Sequence, residues 1–462
     1  MKEMKKLPHS AALSAQTNTP KQVLTVFDAI VMIVGIVVGA GIFRTPPIVA
    51  NSTGTWEMFL FVWVLGGAIS LIGAMCYAEL STAFPSAGGE YHFLYRAFGR
   101  HFAFLFAWAR MSIIQTGSIA LLAFIVGDYM SEFYRLSGYS SSVYAIVVVI
   151  GLTITNIIGV HVGTGTQKLL VGLQFSGLIV LIIAGLFFAP ADREFAAQTL
   201  ATDVDFSMAI GTSLIMVLLT FGGWNEAGYI SSEMRGGSKK MATVMIAGIL
   251  IITAIYLLIN FAYLNVLGID GIARSEAVGV DMMRTAIGER GAVFIGLLVM
   301  LAALTSTNAT IFTGARTNYA FGKDFSLLSF MNVWKTGRST PVNALLTQGA
   351  IATTLIVVGS FARSGFEAMV NFTAPIFWFF ILCTGLALFV LRIREPNALR
   401  PFKVPLYPVL PAIFCLASAY LLYSSLLFAG MGTWLGIGVL LLGMVFFFFT
   451  RKNNRSKLDH RT

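Results

Sequence analysis

GIVVGAGIFRTPP at residues 35–47 and LLTFGGWNEAGY at residues 218–229 decide the fold of this chain. Each lies within a long apolar run, 26–49 and 207–233, and each places glycines at the run's middle. The first has Gly35, Gly39 and Gly41, with Pro46 and Pro47 near its outer end; the second has Gly222 and Gly223. A glycine weakens a helix by about 1 kcal/mol relative to alanine. A cluster of them in mid-run therefore marks a point where the helix unwinds. Unwound backbone is tolerated in a bilayer only where it is buried in protein or lines a cavity. Gly39 and Gly222 are 183 residues apart, with five spans separating the starts of the two runs. Matched breaks in two halves point to a midplane binding site in a transporter built of inverted repeats. Close helix packing through small residues is the other reading of such glycines.

The rest of the chain suits that setting. Of its 462 residues 57% are hydrophobic and 11% charged, with a mean hydropathy of +0.80. Soluble chains average roughly 45–50% apolar and about 25% charged, which excludes an ordinary soluble protein. Twelve runs could each cross a bilayer as a helix of about 20 residues: 26–49, 57–82, 103–129, 143–160, 166–189, 207–233, 241–267, 291–318, 342–360, 366–391, 406–428 and 433–450. They are continuous and not alternating, so membrane strands are excluded. Cys76, Cys383 and Cys415 have no metal-ligand spacing, and no apolar run carries two of the five histidines, so zinc and haem sites find no support. No P-loop string occurs, which disfavours an ATP-driven pump. No nucleophile–base set is visible, so the chain is read as a non-enzyme with no catalytic residue and no cofactor. Its N-terminus lacks a signal-peptide pattern and reads as a retained polar tail.

The net charge of +10 reports topology. With a cytoplasmic N-terminus, 23 of the 31 Lys and Arg residues fall on the inside, six on the outside, and Arg44 and Arg110 within spans. The positive-inside rule then places both termini in the cytoplasm. No nucleic-acid partner is needed to explain the basic excess; the partners are an amino acid and membrane lipid.

Four strings in order resemble the amino acid–polyamine–organocation superfamily, and within it bacterial L-type-like amino acid permeases. They are GAGIF at 39–43, YAELSTAFPSAGGEYHFLYRAFG at 77–99, FGGWNEAGYISSEMR at 221–235 and LRIREPNALRPFKVPLYP at 391–408. The resemblance implies an all-α integral membrane fold of twelve helices in a 5+5 inverted repeat with two further C-terminal helices, helices 1 and 6 being unwound at the midplane. The divisions are then a cytoplasmic tail (1–25), repeat 1 (26–189), an extracytoplasmic loop (190–206), repeat 2 (207–391), the link with helices 11 and 12 (392–450) and a cytoplasmic tail (451–462).

An amino acid brings a carboxylate and an ammonium that cannot be buried unpaired. The N–H groups of Ala40, Gly41 and Ile42, at the start of helix 1's outer half, can face the carboxylate with the help of the helix dipole. Carbonyls near Val38 and Phe221 can receive the ammonium. Gly39, Gly222, Gly223, Trp224 and Asn225 complete the candidate substrate site. Phe221 and Trp224 bracket the substrate side chain or pack in the core. Asn225 bonds substrate or freed backbone. Glu226 binds a cation or proton, or is a helix N-terminal acid held by the dipole. Arg44 forms an outer gate with an acid or snorkels to the interface. Gln115 and Ser118 line the pocket or bond between helices, and Glu79 caps or pairs locally.

Many relatives carry a helix 5 lysine whose ammonium replaces a sodium ion. Aligning GVHVGTGTQKLLVGLQF at 159–175 through Gly159, Val160 and Gln167 puts Gln174 at that position. Lys168 lies six residues earlier, roughly 600° around the helix and on another face. AALTST at 302–307 resembles the helix 8 part of a sodium site. That resemblance implies ligation by the carbonyls of Gly35, Val38 and Ala302 and the hydroxyls of Thr305 and Ser306. Alternatively the two hydroxyls bond back to their own helix. The function expected is alternating-access transport of neutral amino acids across a bacterial inner membrane by sodium-coupled symport. The alternatives are an exchanger or proton-coupled permease for basic amino acids or polyamines, and a transporter-like amino acid sensor.

Overall fold

The computed structural model describes residues 25–447 apart from 87, 159, 189–205, 235–237, 335–339, 363 and 428–429. The terminal tails and nearly all of the loop 190–206, and Gly159 of the helix 5 alignment, therefore lie outside the described residues. The regular elements are helices: α1 Val26–Val37, α2 Gly41–Thr53, α3 Trp56–Ala83, α4 Glu90–Phe98, α5 Arg100–Ala109, α6 Gln115–Phe133, α7 Ser140–Ile158, α8 Val160–Phe187, α9 Phe206–Thr220, α10 Met241–Arg274, α11 Val278–Ile287, α12 Glu289–Asp324, α13 Val342–Gly359, α14 Gly365–Arg394, α15 Val409–Leu427 and α16 Met431–Phe447. A π-helical turn, Arg110–Ile114, joins α5 to α6, and a 3₁₀ segment, Trp224–Glu233, follows α9.

Among the described residues nine spans are long and apolar enough to cross a membrane, and the bent pair α1–α2 makes ten if taken as one span. The 36 residues of α12 reach about 54 Å at 1.5 Å per residue, well beyond a hydrocarbon core, so such helices must tilt or project. The apolar composition is used on both sides of these helices. Phe59, Trp63, Phe104 and Tyr256 are wholly enclosed, whereas Val147, Ile154, Leu416 and Leu442 face outward. Apolar surface of that extent suits lipid and not water.

Local chemistry places the helix ends. Gly54, at φ 69°, caps α2 through its N–H to Ala50 O, and the Thr55 side chain accepts from Met58 N at the start of α3. At the other end of α3, Glu79 does not pair locally. It accepts from Arg392 Nε at 2.8 Å and Nη2 at 2.6 Å and from Val404 N–H at 2.7 Å, with Arg400 Nε 3.4 Å away. This carboxylate fastens the segment between α14 and α15 to α3.

Candidate functional site: a cavity between two helix breaks

The chain leaves helical geometry between Val37 and Gly41, and α1 and α2 meet at a 49° bend. Gly39 N–H bonds Val37 O at 2.8 Å, and Phe43 N–H bonds Ala40 O at 3.1 Å. The first amides of α2 have no acceptor within their own helix. The second break lies between α9, ending at Thr220, and the 3₁₀ segment, starting at Trp224. Gly223 sits there at φ 107°, a left-handed conformation that costs other residues about 1–2 kcal/mol.

The two breaks are held together. Tyr256 of α10 points its hydroxyl at Val37 O and Thr220 O, both at 2.9 Å, so one proton serves two helix ends. The Thr45 and Thr220 hydroxyls meet at 2.7 Å. A Cβ on Gly41 would stand 3.3 Å from Thr220 Cα, so this glycine permits the close approach of α2 to α9.

A cavity of about 190 Å³ lies between the breaks, several times the roughly 30 Å³ of one liquid water. Gly39, Ala40 and Gly41 line it from the first break, and Gly222, Gly223 and Asn225 from the second. Gln115, Ser118 and Ser306 also line it. Gln115 donates to Thr310 O at 2.9 Å, joining α6 to α12. Val38, Ile42, Phe221 and Trp224 are not among the lining residues. Phe221 is fully buried in T-shaped contact with Tyr256 at 5.0 Å, beside Trp63. Trp224 packs edge-on against Tyr77 at 4.9 Å. Both rings take the core-packing alternative, because aromatic neighbours from α3 and α10 enclose them.

One wall of the cavity is charged. Arg110, 2% exposed, sits at the first residue of the π turn, a distortion that often marks functional sites. Its Nη2 donates to both Glu226 oxygens, at 2.7 and 2.9 Å. Its Nη1 lies 3.7 Å from Glu90 Oε2, and its guanidinium covers the Tyr229 ring at 4.5 Å. Glu90 also accepts from Tyr77, from Asn225 at 3.2 Å and from Tyr229 at 3.3 Å. Neither role drawn from the sequence for Glu226 anticipates its engagement: it is an arginine's partner. Asn225 likewise bonds a carboxylate and not freed backbone. An arginine within a spanning run was itself the sign that an acid must face it.

At the coupling position drawn from the alignment, Gln174 reaches the first break. Gln174 is fully buried and donates its side-chain amide to Val38 O, while its Oε1 has no hydrogen-bond partner. The Val38 carbonyl, expected to be open to an ammonium or a cation, already has a donor. Thr305 donates to Leu301 O of its own helix at 2.7 Å. Ser306 Oγ is buried without a partner. Gly35 and Ala302 are buried. One turn into α2, Arg44 has an acid after all, Asp128 at 3.6 Å, with Phe366 beneath its guanidinium at 5.5 Å. The pair is one-third exposed, so it contributes at most about 1 kcal/mol.

The sequence profile described as amino acid permease matches residues 24–455. The chain is 28% identical over 453 residues to b(0,+)-type amino acid transporter 1 of Mus musculus, covering 97% of this chain and 91% of that protein. It is 26% identical over 447 residues to the serine/threonine exchanger SteT of Bacillus subtilis, covering 96% of this chain and all of that protein. Asc-type amino acid transporter 1 of Rattus norvegicus is 28% identical over 454 residues, covering 96% and 83%.

Proposed function

The chain belongs to the amino acid permease family, and on that premise we propose that it carries small neutral amino acids across a bacterial cytoplasmic membrane by alternating access, without a coupling sodium ion. It is a multi-pass membrane transporter of amino acids. The observation that carries the finer reading is that both helix breaks border one cavity. The N–H groups at the start of α2 stabilise a substrate carboxylate through hydrogen bonds and the helix dipole. Carbonyls at the ends of α1 and α9 receive the ammonium, and Thr220 O has a second lone pair beyond its bond from Tyr256. No side-chain charge is consumed by the zwitterion. The state of Glu226 favours a neutral side chain: Arg110 already balances it through Nη2, so a basic substrate would have to displace the guanidinium. Twelve crossings in a 5+5 inverted repeat, with both termini cytoplasmic, agree with the twelve apolar runs and the basic-residue asymmetry. Transport of this kind requires no chemical step from the protein.

One contact favours sodium independence. The Gln174 amide is seated on Val38 O, where the resemblance puts a lysine ammonium in place of sodium, whereas Thr305 gives its proton to Leu301 O and keeps its lone pairs. Sodium-coupled symport retains one supporting feature, the buried and unpartnered Ser306 hydroxyl. Proteoliposomes preloaded with unlabelled serine separate the readings. Labelled serine is expected to enter at the same rate in sodium as in choline. Entry only in sodium would establish symport, entry of lysine alone would restore the basic-substrate reading, and binding without entry would indicate a sensor.

A further inference from the structure

The charged wall of the cavity does not balance. Arg110 gives one positive charge, and Glu226 and Glu90 face it with two carboxylates. All three line the cavity, and Glu90 is 3% exposed. Arg110 is committed to Glu226 through Nη2, while its buried Nε has no acceptor. A buried charge without a counter-charge is costly, and a carboxylate in that position is relieved most simply by a proton.

The groups around Glu90 are unevenly anchored. Tyr77 reaches it from α3 and Arg110 from the π turn. Asn225 and Tyr229 both come from the 3₁₀ segment immediately after the second break, as does the neighbouring carboxylate of Glu226. Movement of that segment removes two neutral donors from Glu90 but also the competing carboxylate of Glu226, which leaves the Arg110 guanidinium to Glu90 alone and favours its ionised form. Glu90 opens α4, outside the spanning helices, and burial pushes its carboxyl above the ordinary value against the opposing pull of Arg110 and Tyr77.

We infer that Glu90 is a proton-binding site, protonated while Glu226 claims Arg110 and ionised when the Trp224–Glu233 segment withdraws and leaves Arg110 to it, so that a proton travels with the amino acid. The carboxylate takes the proton from water in the cavity to become the acid and returns it to water on the other side. No other bond forms or breaks. This rests on the transport reading above, and it supplies the driving cation that Gln174 leaves no need to seek in sodium.

The test uses the full chain in liposomes with a pH-sensitive dye inside. Empty vesicles with an acidic exterior are expected to accumulate labelled serine about tenfold over vesicles without the gradient, with acidification of the lumen. In Glu90→Gln the response to the gradient is expected to vanish, and uptake to become flat between pH 5.5 and 8. Infrared difference spectra of the purified protein give a readout independent of transport: a protonated-carboxyl band growing on acidification in the parent and missing in Glu90→Gln. Serine counterflow that proceeds while the gradient drives neither accumulation nor acidification would overturn the proton site and leave the transport reading intact. So would gradient-driven uptake retained by Glu90→Gln. Absence of counterflow itself would overturn both.

Discussion

Arg110→Met is expected to lower the stability of the detergent-solubilised protein by about 3–5 kcal/mol, the usual cost of removing one partner from a buried ion pair. The loss comes less from the missing hydrogen bonds than from what remains. Glu226 and Glu90 would stand together on one wall of the cavity with no cation, and Glu226 would lose both of its bonds from Nη2. Methionine fills similar volume without charge, so a packing defect is not the main effect. Adding Glu226→Met should restore much of the stability, because Glu90 keeps Tyr77, Asn225 and Tyr229 as donors. Thermal unfolding of the parent, the single and the double variant measures this. A double variant no better than Arg110→Met would mean that the uncompensated carboxylate is not the source of the loss.

The second large effect concerns a site remote from the cavity. Glu79→Ala is expected to cost about 3 kcal/mol. It strands the amide of Val404 and uncouples Arg392 and Arg400 from α3. The effect falls at the lower end of the buried-pair range because both arginines keep other contacts. Arg392 stacks on Tyr407 at 3.8 Å, and Arg400 bonds the carbonyls of Leu391 and Glu395 at 3.0 Å. The distinguishing readout is local. Trypsin should cleave after Lys403 in the variant and leave the parent intact there. Unchanged cleavage with an unchanged melting temperature would show that this clamp is not what holds the link between α14 and α15.

The sequence made the helix breaks legible because glycine in an apolar run is a local signal that needs no partner to interpret it. Gly39 to Gly41 and Gly222 to Gly223 accordingly line the cavity. The charged wall was half legible. Arg110 stood out within a span and Glu226 beside a break, yet their pairing joins residues 116 positions apart, and no periodicity carries that information. Glu90 was hidden further, within a segment outside the spans whose fold back onto the cavity only tertiary packing reveals. Aromatic residues misled for a similar reason. A phenylalanine at a break can face a ligand or the core, and the choice for Phe221 belongs to Trp63 and Tyr256, which come from other helices. Gln174 was identified by alignment, but that its amide occupies the Val38 carbonyl follows only from distances. The hydroxyl of Thr305 takes the local option, a bond to its own helix, which spacing alone does not reveal.

The central claim is that the cavity between the two breaks binds the transported amino acid through backbone groups. A structure determined with a neutral amino acid at a concentration that saturates exchange tests it most directly. The carboxylate is predicted within hydrogen-bond distance of the amides of Ala40, Gly41 and Ile42, with the ammonium toward the carbonyl ends of α1 and α9. An amino acid seated instead with its carboxylate on Arg110, or lying outside the space bounded by Gly39–Gly41 and Gly222–Gly223, would contradict it.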